Sequence, residues 1–395
     1  MNIYNNLPIP IQNILCNIYG LKEKNYRFGK IFKNEFLFLL ESENFSEEEI
    51  NIYQKTKLNN LIKHSYYNSK YYRNLISEFN SNLDLNMKLQ DFPILTKDII
   101  RSKFKLIKTS KKFQKKSRLV KTSGTTGSAL SFICSQNSIS SQWATWWRHR
   151  SRFGFFPGDW HINFTGKALV DSSQKNPPFW RIDYIRKQVL ICSSQLTNKK
   201  IKYIIDFINL KKIKFITGYP SIVTHFCSLL ESQNMNFDYR PKLVTLGAEK
   251  CHNFQSEIIK RVTGATVTDQ YGFSEGCGNA SKCSEGNYHI DWEMGHLECF
   301  NPKINNDGSR TGKILATGYK NFSFPFIRYL TGDYGTFAPD TYKCPCGNKS
   351  SVIFDIEGRI EDYVITSDGN KIMRFDYLFK ETKVKKEAQI IQNEI

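Results

Sequence analysis

Up to about Phe92 the apolar positions recur at helical spacing, as in Leu58, Leu61, Ile62 and Tyr66, and predict helices over Glu35–Glu43 and Ile50–Tyr67. Ser46-Glu47-Glu48-Glu49 reads as a helix start, with Ser46 as N-cap and Glu49 closing a capping box. Pro93 and Thr96-Lys97-Asp98 open another short helix. From Leu119 the pattern changes to short apolar strands: Leu119-Val120, Ala129–Ile133, His161–Phe164, Lys214–Ile216 and Lys242–Leu246. They alternate with helical segments over Lys199–Leu210, Ser221–Ser232 and Asn253–Val262. This alternation predicts an α/β fold with parallel strands. Loops at the carboxyl ends of parallel strands gather in one crevice, where ligands bind. Thr217–Ser221, Leu246–Glu249 and Gln270–Glu275 are loops of this kind, so together they describe a pocket.

A length of 395 residues suits one large domain or two to three ordinary ones. No apolar run approaches the roughly 20 residues of a membrane span, and the amino terminus has no signal-peptide pattern. A cytoplasmic protein with no transmembrane segment is expected. Lys and Arg number 56 against 37 Asp and Glu, a net charge of +19, and the densest basic run extends from Lys97 to Lys121. Such a run attracts nucleic acid, an anionic membrane face or a polyanionic substrate. No RNA-binding aromatic signature, Cys/His finger or recognition helix accompanies it, so specific nucleic-acid binding is not expected.

Ten cysteines in such a chain are reduced thiols or metal ligands. Cys16, Cys134, Cys192, Cys227 and Cys299 have apolar neighbours and read as buried packing residues. Cys277, Cys283, Cys344 and Cys346 lie among Gly, Ser, Asn and Lys, which points elsewhere. Cys283 with His289, and Cys344 with Cys346, form a Cys3His set suited to tetrahedral structural zinc; Cys277, Cys251 and His252 are substitutes.

In Lys121-Thr122-Ser123-Gly124-Thr125-Thr126-Gly127-Ser128, two glycines flank a pair of threonines between strand-like runs. Several N–H groups and hydroxyls can converge there on one anion. No Gly-Lys-Ser/Thr closes it as in a P-loop, and a plain hairpin turn has the same composition.

Four motifs stand in order: Thr122–Gly127, Tyr271-Gly272-Phe273-Ser274-Glu275, Arg328-Tyr329-Leu330-Thr331-Gly332-Asp333, and Gly358-Arg359-Ile360-Glu361-Asp362-Tyr363-Val364-Ile365. From Leu119 onward this set resembles the adenylate-forming superfamily of acyl- and aryl-CoA ligases. Phe324–Tyr329 and Cys344-Pro345-Cys346-Gly347 resemble its phenylacetate–CoA ligase branch, within it the CapK-type group of capsular polysaccharide biosynthesis.

The resemblance implies a large amino-terminal domain with mixed and parallel sheets flanked by helices: a helical region 1–118, a core 119–357, and a hinge with a truncated α+β subdomain 358–395. It implies that Thr122, Ser123, Gly124, Thr125, Thr126 and Gly127 hold the ATP phosphates, that Gly247, Ala248, Glu249, Tyr271 and Gly272 flank adenine, and that Gln270 and Ser274 also bind the nucleotide. Asp333 would accept from the ribose hydroxyls, Arg359 would contact ribose or phosphate, and Glu275 would hold Mg2+. Thr126, Glu275 and Arg359 are the implied catalytic residues, and Tyr219, Pro220 and Ser221 line the acid pocket, with Trp146, Trp147 and His161 nearby. The implied reaction is carboxylate attack on the α-phosphorus, giving acyl-adenylate and pyrophosphate. Expected partners are ATP, a carboxylic acid, coenzyme A or another acceptor thiol or amine, and a second copy in a homodimer.

No counterpart of the family's carboxy-terminal lysine can be assigned, since Lys383, Lys385 and Lys386 come too early, and either Glu361 or Asp362 stands at the hinge. Ala388–Ile391 reads like a strand cut in mid-sheet. Two other readings stay open: a degenerate nucleotide-binding protein without turnover, and a basic protein of nucleic-acid or membrane surfaces.

Overall fold

The computed structural model describes residues 2–79, 87–122, 130–359, 364–365, 371–372, 391–392 and 394. Ser123–Gly127 of the first motif, Ile360–Tyr363 of the last, the lysines at 383, 385 and 386, and the proposed terminal strand up to Ile390 lie outside the described residues.

The chain begins with helices α1 (Asn2–Asn5), α2 (Ile9–Arg27), α3 (Lys30–Glu41), α4 (Glu47–Asn68), α5 (Lys70–Phe79) and α6 (Lys97–Ile107). The capping box forms as its sequence dictates: the Ser46 hydroxyl accepts from Glu49 N–H at 3.2 Å, and Glu49 Oε2 accepts from Ser46 N–H at 2.8 Å. Thr96 caps α6 by accepting from Ile99 N–H at 3.3 Å. α3 ends before Glu43, because the chain tightens into a 3-10 turn over Ser42–Asn44.

β1 (Arg118–Lys121) and β2 (Ser131–Cys134) follow as an antiparallel hairpin, with Lys121 opposite Ser131. After α7 (Gln136–Ser151) come β3 (His161–Thr165), β4 (Trp180–Asp183), β5 (Gln188–Cys192), α8 (Ile201–Lys211), β6 (Phe215–Gly218), α9 (Pro220–Ser232), β7 (Leu243–Gly247), α10 (Asn253–Thr263) and β8 (Thr266–Gly272). The predicted helices and strands of this stretch all form, with ends displaced by one or two residues. β9 (Asn279–Lys282), β10 (Tyr288–Ile290), β11 (Gly295–Ile304), β12 (Arg310–Gly318), β13 (Tyr329–Phe337) and β14 (Val352–Arg359) complete a sheet of order β11-β12-β13-β14-β10-β9-β8-β7-β6-β3-β5-β4.

β5, β3, β6, β7 and β8 run parallel, and the strands on either side pair antiparallel, so the sheet is mixed. On one face α8, α9 and α10 bury Ile204, Ile208, Phe226, Leu230 and Ile259 against Ile162, Ile216 and Val244. Each such side chain contributes about 1.5–3 kcal/mol by leaving water. On the other, Phe32 of α3 and Ala144 and Trp147 of α7 pack on Phe155, Phe215 and Leu243. A third core joins the amino-terminal helices to the antiparallel strands through Leu61, Tyr72, Phe92, Phe324 and Phe326. Among the described residues no helix is long and apolar enough to cross a membrane.

Candidate functional site

One cleft of about 1920 Å³ lies between α2, α3 and α7 and the carboxyl ends of the parallel strands. Three of the four motifs contribute described residues to it. β8 delivers Tyr271 and Gly272 to its rim, and the turn after β8 delivers Glu275. At Gly272 an added Cβ would collide with Asn279 Oδ1 and stand 3.6 Å from Trp146 Nε1, so only glycine lets this wall close. Trp146 Nε1 donates to Asn279 Oδ1 at 3.0 Å, fixing the indole against that backbone.

Two tyrosine–carboxylate pairs organise the cleft. Tyr271 donates to Asp333 Oδ2 at 2.7 Å, and Tyr329 donates to Glu275 Oε1 at 2.6 Å. Burial, reinforced by the Asp333 charge, pushes the Tyr271 phenol well up, so it stays a donor at all ordinary pH. Asp333 also holds its backbone N–H on Thr331 Oγ1 at 3.1 Å. Glu275 is 1% exposed, and its second oxygen is buried with no hydrogen-bond partner among the described residues. A buried carboxylate oxygen left without a donor is costly, and a hard divalent cation is the ligand that satisfies it. The donor chemistry fits Mg2+. The register opposes Asp333 to Arg359, so the third and fourth motifs meet on neighbouring strands, although the Arg359 side chain lies outside the described residues.

At the end of β7, Ala248 takes a left-handed φ of 69°, a conformation that costs an alanine energy and turns the chain toward the cleft. Glu249 Oε2 accepts from Ser221 N–H at 3.2 Å, at the amino end of α9, which ties the Gly247–Glu249 loop to the Tyr219–Ser221 loop. Gln270 Nε2 donates to Ser281 Oγ at 3.2 Å. Thr122 lines the cleft while closing the base of the β1–β2 hairpin, its Oγ1 accepting from Leu130 N–H at 3.1 Å. Tyr219, Ser221, Ser274, Trp146, Trp147 and His161 also line the cleft. Pro220 is buried at the first turn of α9.

The second predicted set also comes together. The ligand atoms of Cys283, His289, Cys344 and Cys346 all lie within 4.8 Å of one another. Cys346 Sγ is 3.2 Å from His289 Nε2, and Cys283 Sγ is 3.9 Å from Cys344 Sγ. His289 Nδ1 faces Ser350 O at 3.3 Å, which presents Nε2 to the thiols. Burial works against ionisation of Cys344, but hydrogen bonds from Asn287 and Cys346 outweigh it and bring its thiol below the usual range; burial pushes Cys346 up to about 12. The chemistry of three sulfurs and one imidazole nitrogen fits tetrahedral zinc.

The substitutes do not join them. Cys277 is 1% exposed and packs in the core with Leu130, Leu297 and Ala316, despite its polar sequence neighbours. Cys251 packs on the α8–α10 core, and His252 caps α10. Cys299 is half-buried rather than buried, its Sγ 3.4 Å from Arg310 O.

Sequence reasoning missed two features. Arg328, inside the third motif, is a clamp: its Nη1 donates to Phe92 O at 2.8 Å and its Nε lies 3.3 Å from Glu298. Arg148 of α7, 3% exposed, donates to Asp291 Oδ1 at 2.6 Å and Glu293 Oε1 at 2.9 Å. Asp291 Oδ2 in turn accepts from Ser281 at 2.7 Å and from Asn279 at 2.5 Å, beside Gly272. Only the alternation Asp291-Trp292-Glu293 hinted at an inward pair of carboxylates.

No family model matches the chain. It is 25% identical over 335 residues to Protein CapK of Staphylococcus aureus, covering 84% of this chain and 72% of that protein. It is 26% identical to phenylacetate-coenzyme A ligases of Pseudomonas putida and Escherichia coli K12, covering 82% and 85% of this chain and 73% and 79% of those proteins. Among solved structures, 2-hydroxyisobutyryl-CoA ligase in complex with 2-HIB-AMP and CoA aligns with a TM-score of 0.58 at 16% identity, over 82% of this chain and 77% of that one. The same enzyme in its postadenylation state aligns with a TM-score of 0.60, so the fold is shared. The shared fold, the ordered motifs within one cleft and the similarity along most of the chain converge on one likeness: the chain is similar to CapK and to the phenylacetate–CoA ligases, and it shares the fold of an acyl-CoA ligase.

Proposed function

We propose that this protein is an AMP-forming ligase that activates a small carboxylic acid with ATP. The observation that carries the reading is the pair of buried carboxylates, Glu275 and Asp333, each held by a tyrosine hydroxyl within one cleft, Glu275 with an oxygen left to ligate. A carboxylate oxygen of the acid attacks the α-phosphorus, the bond to the bridging oxygen breaks, and pyrophosphate leaves with the electron pair. When bound, Mg2+ on Glu275 neutralises charge on the phosphates. Asp333, oriented by the fixed donor Tyr271, accepts from the ribose; Tyr271 and Gly272 wall the adenine. Thr122–Gly127 and Arg359 are assigned to phosphate and ribose by the family pattern, with Thr126 and Arg359 acting beside Glu275, and Gly247–Glu249, Gln270 and Ser274 complete the nucleotide pocket. Tyr219, Pro220 and Ser221 form the mouth of the acid pocket.

The acyl-adenylate is then consumed by an acceptor thiol, coenzyme A or a carrier, or by an amine. Likeness to the CapK group supports a place in surface-polysaccharide assembly. Cys283, His289, Cys344 and Cys346 would hold one structural zinc, pinning the β9–β10 hairpin to the segment before β14. The test is acid-dependent pyrophosphate release from ATP across a panel of carboxylic acids. Release that requires one acid class, and is lost in Glu275→Gln, supports the reading; ATP binding without release for any acid favours the degenerate alternative.

A further inference from the structure

The cleft is electrostatically divided. Its lining carboxylates, Glu249, Asp269, Glu275, Asp333 and Glu357, all follow β7 and belong to the nucleotide end. The wing beneath α2, α3 and α7 is lined by Lys24, Arg27, Lys33, Arg150, Lys167 and Arg186, with no carboxylate among the described lining residues. Arg27 and Arg186 are matched from behind, by Glu23 at 2.5 Å and Asp183 at 2.6 Å.

Arg150 is different. Among the described residues it makes no ion pair, and its Nε is buried without a hydrogen-bond partner; its guanidinium rests over the rings of Trp147 at 5.0 Å and Phe155 at 5.8 Å. Burial with nothing opposite brings this guanidinium down to about 10. Two further polar atoms of the same wall, Trp147 Nε1 and Thr245 Oγ1, are also buried and unpartnered among the described residues. Thr245 stands in a cross-strand row with Thr217 and Asn163, so a polar strip crosses the sheet beneath α7. A half-buried cation facing a cleft amid unused hydrogen-bonding groups makes a good anion site. Trp146 meets Gly272 at the nucleotide end, and Arg150 lies one helical turn, about 6 Å, further along α7.

We propose that the acid carries a second anionic group at its far end, and that Arg150 receives it while the reacting carboxylate lies at the Gly272–Glu275 end. This inference rests on the adenylation reading of the same cleft. It makes Arg150 the specificity-determining residue: a monoanionic acid of equal size would cover the guanidinium without giving it a counter-ion.

The experiment compares phenylacetate with 4-carboxyphenylacetate and 4-phosphonooxyphenylacetate. Binding is read by calorimetry without ATP, and turnover by pyrophosphate release with ATP, for the wild type, Arg150→Lys and Arg150→Met. The expected result is at least about tenfold tighter binding of one or both acids that carry the second anionic group, kept largely by Arg150→Lys and levelled by Arg150→Met; the two separate a carboxylate from a phosphate as the preferred group. The inference is overturned if the wild type binds phenylacetate as well as the two acids with a second anionic group, if it binds none of the three, or if Arg150→Met keeps the preference. A preference seen in binding without pyrophosphate release would uphold the anion site and overturn adenylation instead.

Discussion

Replacing Arg148 by methionine isolates a buried electrostatic element, one guanidinium between two carboxylates. The guanidinium holds Asp291 at 2.6 Å and Glu293 at 2.9 Å, with both carboxylates no more than 2% exposed. Methionine fills most of the volume but leaves two anions facing each other without a cation. The remaining donors, Ser42 on Glu293 and Asn279 and Ser281 on Asp291, satisfy oxygens but carry no charge. Removing one partner of a buried ion pair costs about 3–5 kcal/mol, so Arg148→Met should lower the urea unfolding free energy by that amount at pH 7. Adding Glu293→Gln should recover a large part of the loss, because one anion then remains where two repelled. Burial disfavours the Glu293 charge, but Arg148 overcomes it and keeps that carboxyl below its ordinary range. Without the arginine the carboxyl must rise above its unfolded value, so the single variant loses less stability than wild type as the pH falls from 7 toward 5 and its deficit narrows. A loss under about 1 kcal/mol, or a deficit that does not change with pH, would refute the reasoning.

Metal analysis of protein purified without chelator should find about one zinc per chain, absent from His289→Ala and Cys346→Ser, and chelation should lower the wild-type Tm; metal-free wild type with an unchanged Tm would remove the zinc assignment. Acidification should destabilise the fold. His161 is brought down to about 4 by burial, aided by Arg150, while the unfolded imidazole titrates near 6.5, so the unfolded chain binds the extra proton between those values. The stability this group contributes is present above about pH 6.5 and lost as pH falls toward 4, by roughly 3 kcal/mol at about 1.4 kcal/mol per pKa unit. His161→Gln should flatten the urea stability profile in that window; His149, lowered for the same reason of burial, leaves a residual slope.

The α/β pattern was legible because local rules and tertiary demands agree here. The Ser46 capping box, the Thr96 cap and the helices between β5 and β8 all follow from spacing and end signals. The sites were legible for another reason: their chemistry needs unusual residue types close together, as in Tyr271–Glu275, Arg328–Asp333 and the Cys3His set. Cys277 misled because sequence neighbours describe polarity along the chain, whereas its burial comes from strands more than fifteen residues away in sequence, at Leu297 and Ala316. Arg148 and Arg150 were illegible for the same reason. On a helix rich in Ser, Trp and Arg, nothing local separates an arginine bound to two carboxylates from one with none among the described residues.

The most direct test of the nucleotide site is calorimetric titration of the full chain with ATP, with and without Mg2+, beside Glu275→Ala and Asp333→Ala. The structure predicts saturable, Mg2+-strengthened binding. Asp333→Ala should weaken it about tenfold or more regardless of metal, and Glu275→Ala should abolish mainly the Mg2+ enhancement. Binding that both variants retain at full strength, or no binding by the folded wild type, would contradict the assignment of this cleft to an adenylate site.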